Sequence, residues 1–199
     1  MSFSAGEAEE FIGPLAGKTT TFLLAGREDN IAFAKAAMAA VARSGKTCAV
    51  MDLDALYSSN AEAILGVLPA SSLRQIRLTV PDPRSKVEGE LPQILSSMAG
   101  VVIIDSFNTF YHLLSYDDGA SRGRKLSFAA ASMSFLARTS DKAVFFTMYR
   151  RGGAWRQGTR PISSLSDVTA AVRVQGSALT LSCERGKAWP DGRLSVRIP

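Results

Sequence analysis

The stretch "TTTFLLAGREDNIAFAKAAMAAVARSGKTCAVMDLD", Thr19–Asp54, decides the fold. Short continuous apolar runs read as strands covered on both faces, and apolar positions recurring every three or four residues read as helix. On that basis "TTTFLLAG" is a buried strand and "CAVMDLD" a second one. Between them "NIAFAKAAMAAVARSG" is a helix, with Ile31, Ala34, Met38 and Val41 on one face and Asp29 or Asn30 available as its N-cap. Gly45 stands where a glycine ends a helix. The unit is strand, helix, strand.

The same alternation continues outward. A short helix "NAEAILGVL" precedes a third strand, "LRQIRLTV". The turn "PDPRS" leads to a helix whose Ser85 and Glu88 have capping-box spacing. "GVVIID" is a fourth strand, "RKLSFAAASMSFLART" a helix and "KAVFFTMY" a fifth strand. Then "VTAAVRV", "ALTLSCE" and "RLSVRI" alternate in polarity between "QGS" and "RGKAWPDG", as an antiparallel meander does. Together they predict an α/β three-layer sandwich with a mostly parallel central sheet and an antiparallel C-terminal meander, as one domain over residues 1–199. In such folds ligands bind beyond the C-terminal ends of the parallel strands.

Composition narrows the classes. With 46% hydrophobic and 21% charged residues the chain reads as globular, and its N-terminus "MSFSAGEAEE" lacks the basic start and apolar stretch of a signal peptide. A cytoplasmic protein with no membrane contact is expected. Cys48 and Cys183 read as two buried thiols without metal-ligand spacing, and a lone His112 removes multi-histidine metal centres. The net charge of +5 is uneven, with 9 Lys/Arg against 11 Asp/Glu up to Ala99 and 14 against 7 from Gly100 on. A basic second half suits a nucleic-acid face or an acidic partner.

Two Gly-Lys-Thr triplets, in "AGKTTT" (Ala16–Thr21) and "ARSGKTC" (Ala42–Cys48), invite a phosphate-binding reading. A P-loop needs a glycine five positions before the second one, a strand leading in and a helix leading out, so that backbone N–H groups and the helix N-terminus meet the phosphates. Ile12 and Ala40 occupy the required first-glycine positions, and each triplet precedes a strand instead of following one. Neither triplet is a P-loop.

"VVIIDSFNTFYHLL", the helix "RGRKLSFAAASMSFLART" with the strand behind it, and the closing "CERGKAWPDGRLSVRI" resemble the ATPase core of the RecA/RadA recombinase superfamily, most closely the archaeal RadA paralogues of RadB type. The resemblance implies a single RecA-like core without the N-terminal helical domain. It places Asp105 where the family holds its Walker B aspartate, and Asp54 where members place the glutamate that polarises water. By residue chemistry alone, each is a strand-end acid that can cap a turn.

The resemblance also locates the phosphate site, at "GREDNIAF" after the first strand. Gly26 stands at the first glycine, Ile31 replaces the second, Ala32 the lysine and Phe33 the Mg²⁺-binding hydroxyl. Glu28 and Asp29 add negative charge there, which suits a helix start and opposes another anion. Thr147, Met148 and Tyr149 stand where the family has a polar pair that senses the γ-phosphate. The expectation is a pseudo-ATPase with no catalytic residues and no cofactor.

In recombinases, loops after the fourth and fifth strands hold single-stranded DNA. The first here offers Arg122, Arg124 and Lys125, with Asp117 and Asp118 opposing them. The second offers Arg150, Arg151, Arg156 and Arg160 with Trp155, a combination able to pair phosphates and stack a base. The function this implies is a non-hydrolysing paralogue that assists recombination or DNA repair by binding a RadA-type recombinase or another RecA-fold subunit, single-stranded DNA, or both. The alternative is a protein-interaction regulator with a P-loop-less RecA fold, similar to SulA-type inhibitors or ImuA-type adaptors and without DNA contact.

Overall fold

A computed structural model describes residues 4–81, 87–113, 122–150 and 165–199. Five parallel-type strands form as the sequence predicts: β1 (Thr19–Leu24), β2 (Cys48–Asp52), β3 (Ile76–Thr79), β4 (Val101–Asp105) and β5 (Ala143–Tyr149). They are followed by β6 (Val168–Gln175), β7 (Ala178–Arg185) and β8 (Arg193–Arg197). All eight join one sheet in the order β3-β2-β4-β5-β1-β6-β7-β8. β6 pairs parallel with β1, and antiparallel pairing begins only between β6 and β7. The meander therefore hangs from the parallel sheet through β6.

Side chains of β1 and its parallel neighbours alternate between two apolar cores, which is why their sequences read as continuous apolar runs. Phe22, Leu24, Val50, Ile103 and Phe145 face one core, together with α1 (Ala5–Ile12) and α2 (Arg27–Ser44). Leu23, Met51, Val102, Ile104 and Phe146 face the other, against α6 (Val87–Ser96), α7 (Phe107–Leu113) and α8 (Arg122–Thr139). Three short helices, α3 (Leu56–Ser59), α4 (Ala61–Leu65) and α5 (Ala70–Leu73), bridge β2 to β3. Leu73, read as the start of the third strand, belongs to α5 instead.

α1 was hidden behind its acidic residues. Ser4 and Glu7 form a capping box, Glu7 N–H to Ser4 Oγ at 3.1 Å and Ser4 N–H to Glu7 Oε2 at 2.7 Å. The helix then buries Ala8, Phe11 and Ile12. Trp189, after β7, is buried beside it and donates its Nε1–H to the Glu10 carbonyl at 3.1 Å. Gly45 ends α2 at φ 68°, a left-handed conformation that glycine adopts without strain, so the second triplet is a helix terminus. Cys48 is buried, while Cys183 is only half-buried. Among the described residues, no helix is long and apolar enough to cross a membrane.

Candidate functional site

β5 lies between β1 and β4, so the end of β1, the start of α2 and the ends of β4 and β5 converge at one corner of the sheet. Asp105 closes β4 there with no accessible surface. Its Oδ1 accepts from Asn30 Nδ2 at 2.9 Å and from the Thr147 hydroxyl. The same Asn30 amide donates to Tyr149 Oη at 2.8 Å. Tyr149 N–H in turn donates to Asn108 Oδ1 on α7 at 2.8 Å. One amide thus ties α2 to β4 and β5, and β5 is tied to α7.

This corrects the helix cap. Asp29 and Asn30 are not N-caps, because α2 begins at Arg27 with Gly26 as its cap. Asp29 instead turns its carboxylate back to the Ala25 amide at 3.2 Å, and Asn30 points inward, fully buried. An asparagine in an alanine-rich helix was the available signal. Its partner became visible only once β4 was placed beside it.

Asp105 is half satisfied. Among the described residues its Oδ2 has no hydrogen-bond partner, nor have the buried Asn30 Oδ1, Ser106 Oγ and Asn108 Nδ2. Burial raises its pKa to about 6, opposed by the Thr147 and Asn30 hydrogen bonds and assisted by the negative charges of Asp54 and Asp52. Burial likewise raises the Tyr57 hydroxyl, with the Asp105 charge adding to the effect. Tyr149 moves up for the same first reason, partly offset by Asn30.

The other acids act locally. Asp52 is the turn-capping residue of "MDLD", since its carboxylate accepts from the Tyr57 and Ser58 amides of α3 at 3.2 and 2.8 Å. Asp54 is exposed and accepts from the Thr109 hydroxyl of α7.

The segment that the resemblance aligns with a P-loop is part of the core. Ile31 is partly buried, Ala32 is 8% exposed and Phe33 has no exposure at all. Phe33 packs on Phe22 at 4.4 Å between ring centroids and on Phe11 at 6.3 Å. A magnesium-bound triphosphate placed as the resemblance implies would find no ammonium and no hydroxyl at these positions, and Oδ1 of the Asp105 carboxylate is already engaged by Asn30 and Thr147. The residues present do not fit that group.

Of the basic residues, Arg150 is half-exposed and pairs with Glu184 of β7 at 2.8 Å, while its amide donates to the Leu24 carbonyl at 2.9 Å. Arg124 is exposed and Lys125 half-buried, both in the first turn of α8. Arg151, Trp155, Arg156 and Arg160, the side chain of Arg122 and the Ser85–Glu88 cap lie outside the described residues.

No family model matches the chain, and no curated protein matches it in sequence. Among solved structures, the crystal structure of the RadB recombinase superposes with a TM-score of 0.65 at 16% identity, covering 92% of this chain and 88% of that one. The corner built by Asn30, Asp105 and Thr147 thus sits in a chain with the RecA-like fold of RadB, the architecture expected from its strands.

Proposed function

We propose that this protein is a RecA-fold subunit that does not hydrolyse ATP and that assists recombination or repair by binding a RadA-type recombinase, single-stranded DNA, or both. The observation that carries the reading is the Asn30–Asp105 hydrogen bond at 2.9 Å. A protein side chain holds the aspartate that would otherwise organise a magnesium ion, and a phenylalanine integral to the core holds the hydroxyl's place. Phosphoryl transfer is catalysed by positioned cations and donors around the phosphates, and these positions supply neither. The basic second half and the arginine-rich segment after β5 support contact with a polyanion.

The Arg150–Glu184 pair supports the second reading, a protein-interaction regulator, because it engages one of the cations assigned to DNA. Anisotropy of a labelled single-stranded oligonucleotide, with and without an added RadA-type recombinase, tests the pair of readings. Salt-sensitive binding by the purified chain, or its recruitment onto recombinase-coated strands, is expected. Absence of both leaves the regulator as the function. Micromolar ATP binding in calorimetry would overturn the non-hydrolysing part separately.

A further inference from the structure

α8 carries Arg124, Phe128, Ala131, Phe135 and Arg138 at alternating spacings of four and three. That spacing places them on one helical stripe. Leu126, Ala130, Met133 and Ala137 point into the core, whereas Phe128 is 76% exposed and Phe135 66%. Beside Phe128 a groove of about 600 Å³ runs between α6 and α8, lined by Leu91, Leu95, Phe128, Ala129, Leu136 and Lys125. Isolated exposed apolar residues are ordinary on a protein surface. Here Phe128 lines an apolar groove and a second exposed ring, Phe135, stands two turns further along the same stripe, an exposed apolar surface of the kind that marks an interaction site.

The stripe has the shape of a helix seat. Ala131 and Ser132 keep the surface low between the two rings, so the ridges of another helix can settle between them. Arg124 and Arg138 close the stripe at its two ends, both exposed, with Arg138 also paired to Asp167 at 2.6 Å. In a symmetric antiparallel pairing of α8 with a second copy about Ala131, Arg124 of each chain would meet Arg138 of the other. Asp167 compensates Arg138 only in part, since that guanidinium stays largely exposed, so the juxtaposed like charges oppose that arrangement, and Arg124 with Lys125 at the groove favours a partner of opposite sign.

We infer that this face docks an amphipathic helix of another protein, one that lays apolar side chains into the α6–α8 groove and carries acidic residues beyond its apolar stripe. The inference stands independently of the recombination reading, because it uses neither the Asp105 corner nor the segment after β5.

Two labelled synthetic helical peptides, identical in their leucine stripe but ending in glutamates or in lysines, test it by anisotropy at low and high salt. The acidic peptide is expected to bind and the basic one to bind about tenfold more weakly, a difference that shrinks as salt rises. Phe128→Ser and Phe135→Ser should each weaken the acidic peptide severalfold without lowering the melting temperature, since both rings are exposed. Arg124→Glu should move the preference toward the basic peptide. Equal binding of the two peptides, or binding of neither, overturns the inference. A dimer in sedimentation equilibrium that Phe128→Ser abolishes makes a second copy the occupant, and overturns it as well.

Discussion

Asn30 on α2 and Asp105 at the end of β4, 75 positions apart in sequence, meet at 2.9 Å, both fully buried. The Asn30 amide satisfies Asp105 Oδ1 from within the protein, while Asp105 Oδ2 keeps no partner among the described residues. Asn30→Ala removes a buried donor to a carboxylate and should destabilise by about 1–3 kcal/mol. Asn30→Asp should cost more, because two buried carboxylates would then face each other. Urea denaturation measures both, and an unchanged slope with a lowered midpoint identifies a loss of stability.

The Asp105 carboxyl makes stability depend on pH in a definite direction. Its folded pKa, about 6, lies above the ordinary carboxylate value of 3.8, so between these values the folded protein holds a proton that the unfolded chain has released. This contribution to stability is full below about pH 4 and is lost as pH rises through about 6. At roughly 1.36 kcal/mol per unit it amounts to at most about 3 kcal/mol. Asp167 works oppositely: although burial alone raises its pKa, the Thr19 amide and Arg138 hold it below the usual carboxylate value. The comparison must therefore be differential. Asp105→Asn should gain stability relative to the native sequence as pH rises from about 4 to 7, and a difference that stays flat would show that Asp105 does not titrate in that window.

How much of this was legible in the sequence follows from the range of each signal. β1, β2, β4 and β5 announce themselves because parallel strands with helices on both faces must be apolar throughout, and Gly45 because a helix end has a local requirement. α1 did not, since its apolar face is three residues long and lies among glutamates. α7 did not either, since "FNTFYHL" mixes aromatic and polar residues without a clear helical period. The register from Gly26 to Phe33 leads to the corner where Asn30 of α2 meets Asp105 of β4. The contact itself is a tertiary fact, because Asn30 acquires a partner only when β4 and β5 are laid beside α2.

Phe33, three residues past Asn30 on α2, belongs to the core. Its ring joins those of Phe11, Phe22 and Phe145, pairs of which lie 4.4 to 6.5 Å apart. Phe33→Thr, which puts a hydroxyl where the RecA resemblance expects one, should cost about 3–5 kcal/mol, the range for truncating a buried phenylalanine. With Ile31→Gly and Ala32→Lys added, the motif would be restored in sequence while Asn30 still holds Asp105. The expected outcome is a large fall in melting temperature with no recovery of ATP-dependent stabilisation, since a ligand raises the melting temperature only by binding the native state. Recovery of micromolar ATP binding by this triple variant would show that the three replacements alone account for the missing site, and that the Asn30 clamp is incidental.

Arg150 and Arg156 separate structural from functional cations. The Arg150 guanidinium lies 2.8 Å from Glu184, and an exposed pair of this kind contributes about 0–1 kcal/mol. That is enough to bias the side chain away from a phosphate without fixing the fold. If the segment after β5 holds single-stranded DNA, each phosphate engaged should steepen the decline of log affinity with log salt by about 0.7. Arg156→Ala should therefore flatten the slope by about that amount, whereas Arg150→Ala should change it little. Glu184→Gln frees the Arg150 guanidinium from its carboxylate and should steepen the slope. Trp155→Ala should lower affinity by about 1–3 kcal/mol at an unchanged slope, since stacking releases no counterions. Anisotropy at several salt concentrations reads all four variants. Equal flattening by Arg150→Ala and Arg156→Ala would show that DNA displaces Glu184, making the ion pair a latch that binding opens instead of a fixed part of the scaffold.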